Sequence, residues 1–173
     1  MTIRPARNLG CTAAPSTAAA SVPTPATPVS VDPAAPVAAP LVADSSARDI
    51  VVETDAVRAV FTTEGATLKS WKLKGYLEGG ALLDFVPADL PASYARPFAL
   101  ATDDTALSKT LATALFKASS DGLSLGSAPG QLSFEYRDAA GLTARKTFYF
   151  QPEGKPYVLK VEAAVDLSGA SKP

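Results

Sequence analysis

Histidine is absent from the chain, and cysteine occurs once, at position 11. Without histidine, the commonest general base at neutral pH, the Ser-His-Asp and Cys-His machineries and the commonest metal ligand are all excluded. A lone cysteine rules out an intrachain disulfide and zinc sites built on several thiolates. Basic residues do not outnumber acidic ones: 16 Lys and Arg against 17 Asp and Glu leave a net charge of −1. That balance gives no cationic footprint for nucleic acid phosphates. No run approaches the ~18–20 consecutive apolar residues that span a hydrocarbon core. Neither phosphate-binding glycine loop occurs, and no cofactor motif replaces it.

Aromatic residues are missing from the first 47 positions, which nevertheless hold more than half of the prolines. From Cys11 to Ala47 the chain is Ala, Pro, Thr, Ser and Val, with Pro23, Pro25, Pro28, Pro33, Pro36 and Pro40 too closely spaced for a helix. Residues 1–47 are therefore expected to be a disordered Pro/Ala-rich linker, and residues 48–173 a folded domain. The functional reading of the linker is a tether; the plain one is a solvated tail. Leu9-Gly10-Cys11 superficially matches a lipid-attachment box, but Arg4, Pro5 and Arg7 stand where an apolar signal core belongs. Cys11 reads as an unmodified thiol.

What is present is β pattern. Val57, Ala59 and Phe61 alternate with Arg58, Val60 and Thr62, the period of a half-buried strand. Thr63-Glu64-Gly65-Ala66 supplies a reversal, and Leu68, Trp71 and Leu73 mark a returning strand, so a hairpin is expected. Ala81 to Val86 is a short apolar strand stopped by Pro87. Between Asp104 and Ser119, Leu107, Leu111 and Leu115 recur every fourth residue behind a capping Asp103 or Asp104. A short helix followed by a strand from Ala114 to Ser119 is expected there. Leu132, Phe134 and Tyr136 share a strand face; Asp138 to Gly141 turns the chain into a strand from Thr143 to Phe150. A third strand alternates from Tyr157 to Val165. Many short strands separated by turns point to an antiparallel sandwich.

Candidate chemistry is sparse. Glu53, Asp55, Glu64, Asp84, Glu135 and Glu162 are the carboxylates available for a paired acid and base, but each lies on a polar face or at a turn, where solvation explains it. Asp103-Asp104 lacks the ligands and loop spacing of a cation cage and reads as a cap. Trp71 among Lys69, Lys72 and Lys74 offers a sugar or partner platform, against the alternative of a tryptophan packed beneath solvated lysines. Gly122, Gly126 and Gly130 read as turns.

Val52-Glu53-Thr54-Asp55, the strand ending at Phe61, the turn at Gly65 and the Leu68 to Tyr76 run Leu-Lys-Ser-Trp-Lys-Leu-Lys-Gly-Tyr together carry a resemblance. So do Pro97-Phe98, Leu115 to Ser119, Phe134 with Tyr136, Lys146 to Phe150 and Tyr157 to Val161. From about Arg48 to Leu167 the chain resembles the start of the periplasmic domain of the YidC family of bacterial membrane protein insertases (YidC/Oxa/Alb). The resemblance implies an antiparallel β-supersandwich of the galactose mutarotase-like kind, with only about its first half present. An unfinished sandwich is expected to expose apolar surface and unpaired strand edges. It implies a non-catalytic domain on the periplasmic side of the inner membrane, without cofactor or metal, part of a multi-pass parent. The partners it implies are Sec translocon accessory subunits and nascent inner-membrane proteins. The mutarotase chemistry of related folds needs histidines and is not carried over. The other reading is a carbohydrate-binding or carbohydrate-modifying β-sandwich.

Overall fold

The computed structural model describes residues 39–91 and 93–168. Among these residues the chain runs β1 (Pro40–Val42), β2 (Asp49–Thr54), β3 (Val57–Thr62), β4 (Thr67–Glu78), β5 (Ala81–Asp84), α1 (Thr105–Thr113), β6 (Lys117–Ala118), β7 (Gly122–Gly126), β8 (Gly130–Asp138), β9 (Leu142–Phe150) and β10 (Leu159–Leu167). One sheet has the order β5-β4-β3-β2-β7; the other has β1-β8-β9-β10, with β6 also on β8. The fold is the expected all-β antiparallel sandwich, apart from one parallel ladder between β2 and β7.

The inner faces meet through aromatic side chains. Phe61 of β3 lies 4.6 Å from Phe148 of β9, centroid to centroid, and also touches Phe134 and Phe150. Ile50, Val52, Val57, Ala59 and Leu132 fill the surrounding core. Alternation in β3 buries Val57, Ala59 and Phe61 and exposes Arg58, and each such apolar side chain taken from water contributes about 1.5–3 kcal/mol.

Strict alternation cannot explain β4, where Leu68 and Trp71 have opposite parity and both are buried. The register supplies the reason. Val60 pairs Ser70 while Phe61 pairs Leu68, so Lys69 is an extra residue in β4. This bulge resets the parity, turning Trp71 and Leu73 inward after Leu68.

Three sequence expectations are corrected. The Pro/Ala-rich stretch does not stay outside the fold up to residue 47: β1 pairs with β8, the Asp44 amide donates to the Leu115 carbonyl at 3.1 Å, and Asp44 pairs with Arg48. Gly122 and Gly126 are not turns between elements but the ends of β7, laid along β2. The expected strand from Ala114 to Ser119 shrinks to Lys117–Ala118, preceded by a single bridge between Leu115 and Glu64. The helix before it forms as expected: the Asp104 side chain accepts from the Ala106 and Leu107 amides, and Leu111 is buried. Residues 1–38 of the linker expected over 1–47, and Cys11 within them, lie outside the described residues.

Candidate functional site

The six candidate carboxylates do not converge. Glu53 pairs with Arg58 at 3.3 Å and Lys74 at 3.6 Å; Glu135 pairs with Arg145 at 2.9 Å. Asp55 and Glu64 are exposed in the turns that flank β3. Glu162 accepts from Lys160 at 2.8 Å and from the Tyr149 hydroxyl at 2.9 Å. Asp84 has a structural task. Its Oδ2 accepts from the Ser70 hydroxyl at 2.6 Å, and its Oδ1 accepts from the Trp71 and Val86 amides at 2.8 and 3.1 Å. Partial burial pushes this carboxyl up, but those three hydrogen bonds together with the charge of Lys72 outweigh it and hold it below its ordinary value.

Trp71 is 8% exposed and belongs to the core, so it offers no platform to a sugar or partner. Lys69 turns instead to Asp49, with both carboxylate oxygens within 2.9 Å. Among the described residues, no group of three or more acidic or thiol side chains is placed to hold a metal ion, and no helix is long and apolar enough to cross a membrane.

The most unusual group is Lys146, 1% exposed in the middle of β9. Its ammonium donates to three backbone carbonyls: Gly65 at 2.7 Å, Ala66 at 3.0 Å and Phe98 at 2.6 Å. The Phe116 ring lies on another side, 5.6 Å from Nζ to its centroid. Burial pushes the ammonium down to about 8. Ala66 and Phe98 are also the only non-glycine residues with positive φ among those described, at 48° and 67°. Each such conformation costs about 1–3 kcal/mol and persists only where its surroundings over-determine it. Lys146 opens the Lys146 to Phe150 run that carries the family resemblance, but nothing in that run marks a site. Its parity with Ala144, Phe148 and Phe150, all inward-facing, was the available signal.

Two features lie on the surface. At the end of the β4–β5 hairpin, Tyr76, Leu77 and Leu82 are exposed, Leu77 to 70%. Tyr157 packs edge-on against Tyr76, with centroids 6.0 Å apart, and its chain neighbour Val158 is also exposed. On the outer face of β8, β9 and β10 lies an open groove of about 430 Å³ lined by Gln131, Ser133, Arg145, Thr147, Tyr149 and Glu162. Its charged walls are already paired, and the Ser133 and Thr147 hydroxyls on its floor are 3.2 Å apart.

Residues 49–172 match the family model of the YidC periplasmic domain. The protein named membrane protein insertase YidC from Geobacter sulfurreducens is 36% identical over 127 residues, covering 69% of this chain and 22% of that protein. The one of the same name from Geotalea uraniireducens is 36% identical over 110 residues, covering 61% and 20%. The chain thus spans about a fifth of the length of these curated relatives.

Proposed function

Because the chain belongs to the YidC periplasmic domain family, we propose that it is a non-catalytic docking and scaffold domain of an inner-membrane insertase, acting on the periplasmic side. Its partners are accessory subunits of the Sec translocon, and its parent's clients are nascent inner-membrane proteins. The observation that carries this reading is the exposed, mutually packed pair Tyr76 and Tyr157, with the paired Leu77 and Leu82 and the neighbouring Val158 exposed as well. Tyrosine beside aliphatic side chains is the composition of an interface centre, and a contiguous exposed apolar patch is the ordinary mark of one. The buried polar groups, by contrast, are engaged in holding the fold: among the described residues, no buried side-chain nitrogen or oxygen lacks a hydrogen-bond partner.

The test uses a full-length protein carrying this domain. Tyr76→Ser with Tyr157→Ser reduces co-purification of the Sec accessory subunits while the isolated domain keeps its far-UV spectrum. Unchanged co-purification overturns the assignment.

A second reading rests on the outer groove, whose paired charges and hydroxyl floor suit a neutral polyhydroxylated ligand. Amide shifts confined to β8–β10 on titration with neutral disaccharides support it. Silence at high millimolar concentration removes it, and the residues to mutate are Gln131 and Tyr149 rather than the buried Trp71.

A further inference from the structure

We propose that the carbonyl oxygens of Gly65, Ala66 and Phe98 form a cation site of the primary ammonium class, occupied in cis by Lys146, and that this occupancy latches the segment between β5 and α1 onto the sandwich.

The geometry of the donors and acceptors matches. An ammonium carries three N–H groups and no lone pair, and three carbonyl oxygens stand at 2.6–3.0 Å from Nζ. A neutral amine would leave one oxygen without a donor. None of the ion pairs among the described residues involves Lys146, so the site neutralises its tenant with backbone dipoles and the Phe116 ring rather than with a carboxylate.

The acceptors come from two distant places in the chain, the β3–β4 turn and the loop around Phe98. The site exists only while that loop is seated. Seating also joins the Leu68 amide to the Pro97 carbonyl at 3.1 Å and sets the Phe98 ring edge-on to Phe148 at 5.3 Å. The turn is pressed from its other side by α1: a Cβ on Gly65 would stand 2.7 Å from the Ala112 carbonyl oxygen. Two otherwise unfavourable backbone conformations, at Ala66 and Phe98, therefore share one stabilising contact, the ammonium between them. Lys146 is a positioning residue for both.

The test separates a cation site from simple cavity filling. In the full chain carrying Lys146→Ala, the Leu68 and Ala99 amides, which donate to Pro97 and Arg96, lose about tenfold or more in protection from hydrogen exchange. Millimolar propylammonium, the missing part of the side chain, restores that protection; tetramethylammonium, which has no N–H, and 1-propanol, which has no charge, do not. Failure of propylammonium to restore it overturns the proposal, as does equal rescue by 1-propanol or rescue by potassium alone. If Lys146→Ala does not fold, the unmodified chain carries the test by NMR. A slowly exchanging Nζ proton signal with couplings to the Gly65, Ala66 and Phe98 carbonyl carbons supports the site, and a freely exchanging amine refutes it.

Discussion

Phe61 and Phe148, in different sheets, hold their ring centroids 4.6 Å apart, and both side chains are completely buried. Because Phe61 also meets Phe134 and Phe150, truncating it removes contacts to both strands of the facing hairpin. Phe61→Ala lowers stability by about 3–5 kcal/mol, read as a fall in the urea midpoint. A loss under about 1 kcal/mol would mean that the inter-sheet core is not formed as described.

Lys146 gives the fold an unusual alkaline response. Unfolded, its ammonium titrates near 10.5; folded, burial brings it to about 8. Between those values the unfolded chain binds more protons than the folded one, so raising the pH through this window stabilises the fold. The gain is absent below the folded value, where both states are charged. The difference in unfolding midpoint between the unmodified chain and Lys146→Met should therefore widen in favour of the former from pH 8 upward. Parallel profiles would mean that the three carbonyls and the Phe116 ring compensate the ammonium fully for its burial.

Asp84 gives the opposite window. Its carboxyl is depressed in the fold because the hydrogen bonds from Ser70, Trp71 and Val86, with the charge of Lys72, outweigh partial burial. Its contribution is present above the unfolded carboxylate value and is lost as pH falls through the lower folded value. Asp84→Asn costs about 1–2 kcal/mol at neutral pH, and that cost shrinks in acid, where the parent also loses the carboxylate. Chemical denaturation at pH 7 and in acid tests the sign.

Gly65 and Gly79 form a matched pair for separating conformational from steric cost. Both have similar positive φ, 64° and 58°, but a Cβ at Gly79 meets nothing within 4 Å, whereas at Gly65 it meets the Ala112 carbonyl oxygen at 2.7 Å. Gly79→Ala costs about 1–2 kcal/mol from the left-handed backbone alone. Gly65→Ala costs more and speeds exchange of the Ala114 amide at the end of α1, which donates to Thr110. Equal losses would show that the turn does not press on the helix.

Much of the fold was legible because its strands are amphipathic. β3 and the β8–β9–β10 meander follow from period-two alternation, the return into β4 from the turn at Gly65 and the apolar Leu68, Trp71 and Leu73, and α1 from its leucine spacing and cap. The missing pieces share a physical reason: β1 and β7 are edge strands whose sequences, Pro-Leu-Val and Gly-Leu-Ser-Leu-Gly, have turn-like or linker-like composition. Their pairing comes from strands distant in sequence, which local pattern does not record. The bulge at Lys69 was hidden similarly, although the parity conflict between Leu68 and Trp71 announced it. The Lys146 site was the least legible, since its acceptors are backbone carbonyls that no side-chain motif marks.

The parallel union of β2 with β7 sets a schedule for synthesis. As the chain emerges from its N-terminal end, β2, β3, β4 and β5 can zip together in turn, because each pairs with its neighbour in sequence. That ribbon then waits, one edge open, until α1 and β6 have passed and β7 arrives to close it. The three long strands of the other sheet, β8 to β10, follow at once. Closing the first sheet and delivering its partner are therefore adjacent events in chain order, and the first apolar face is covered only when β9 brings Phe148 and Phe150 onto Phe61.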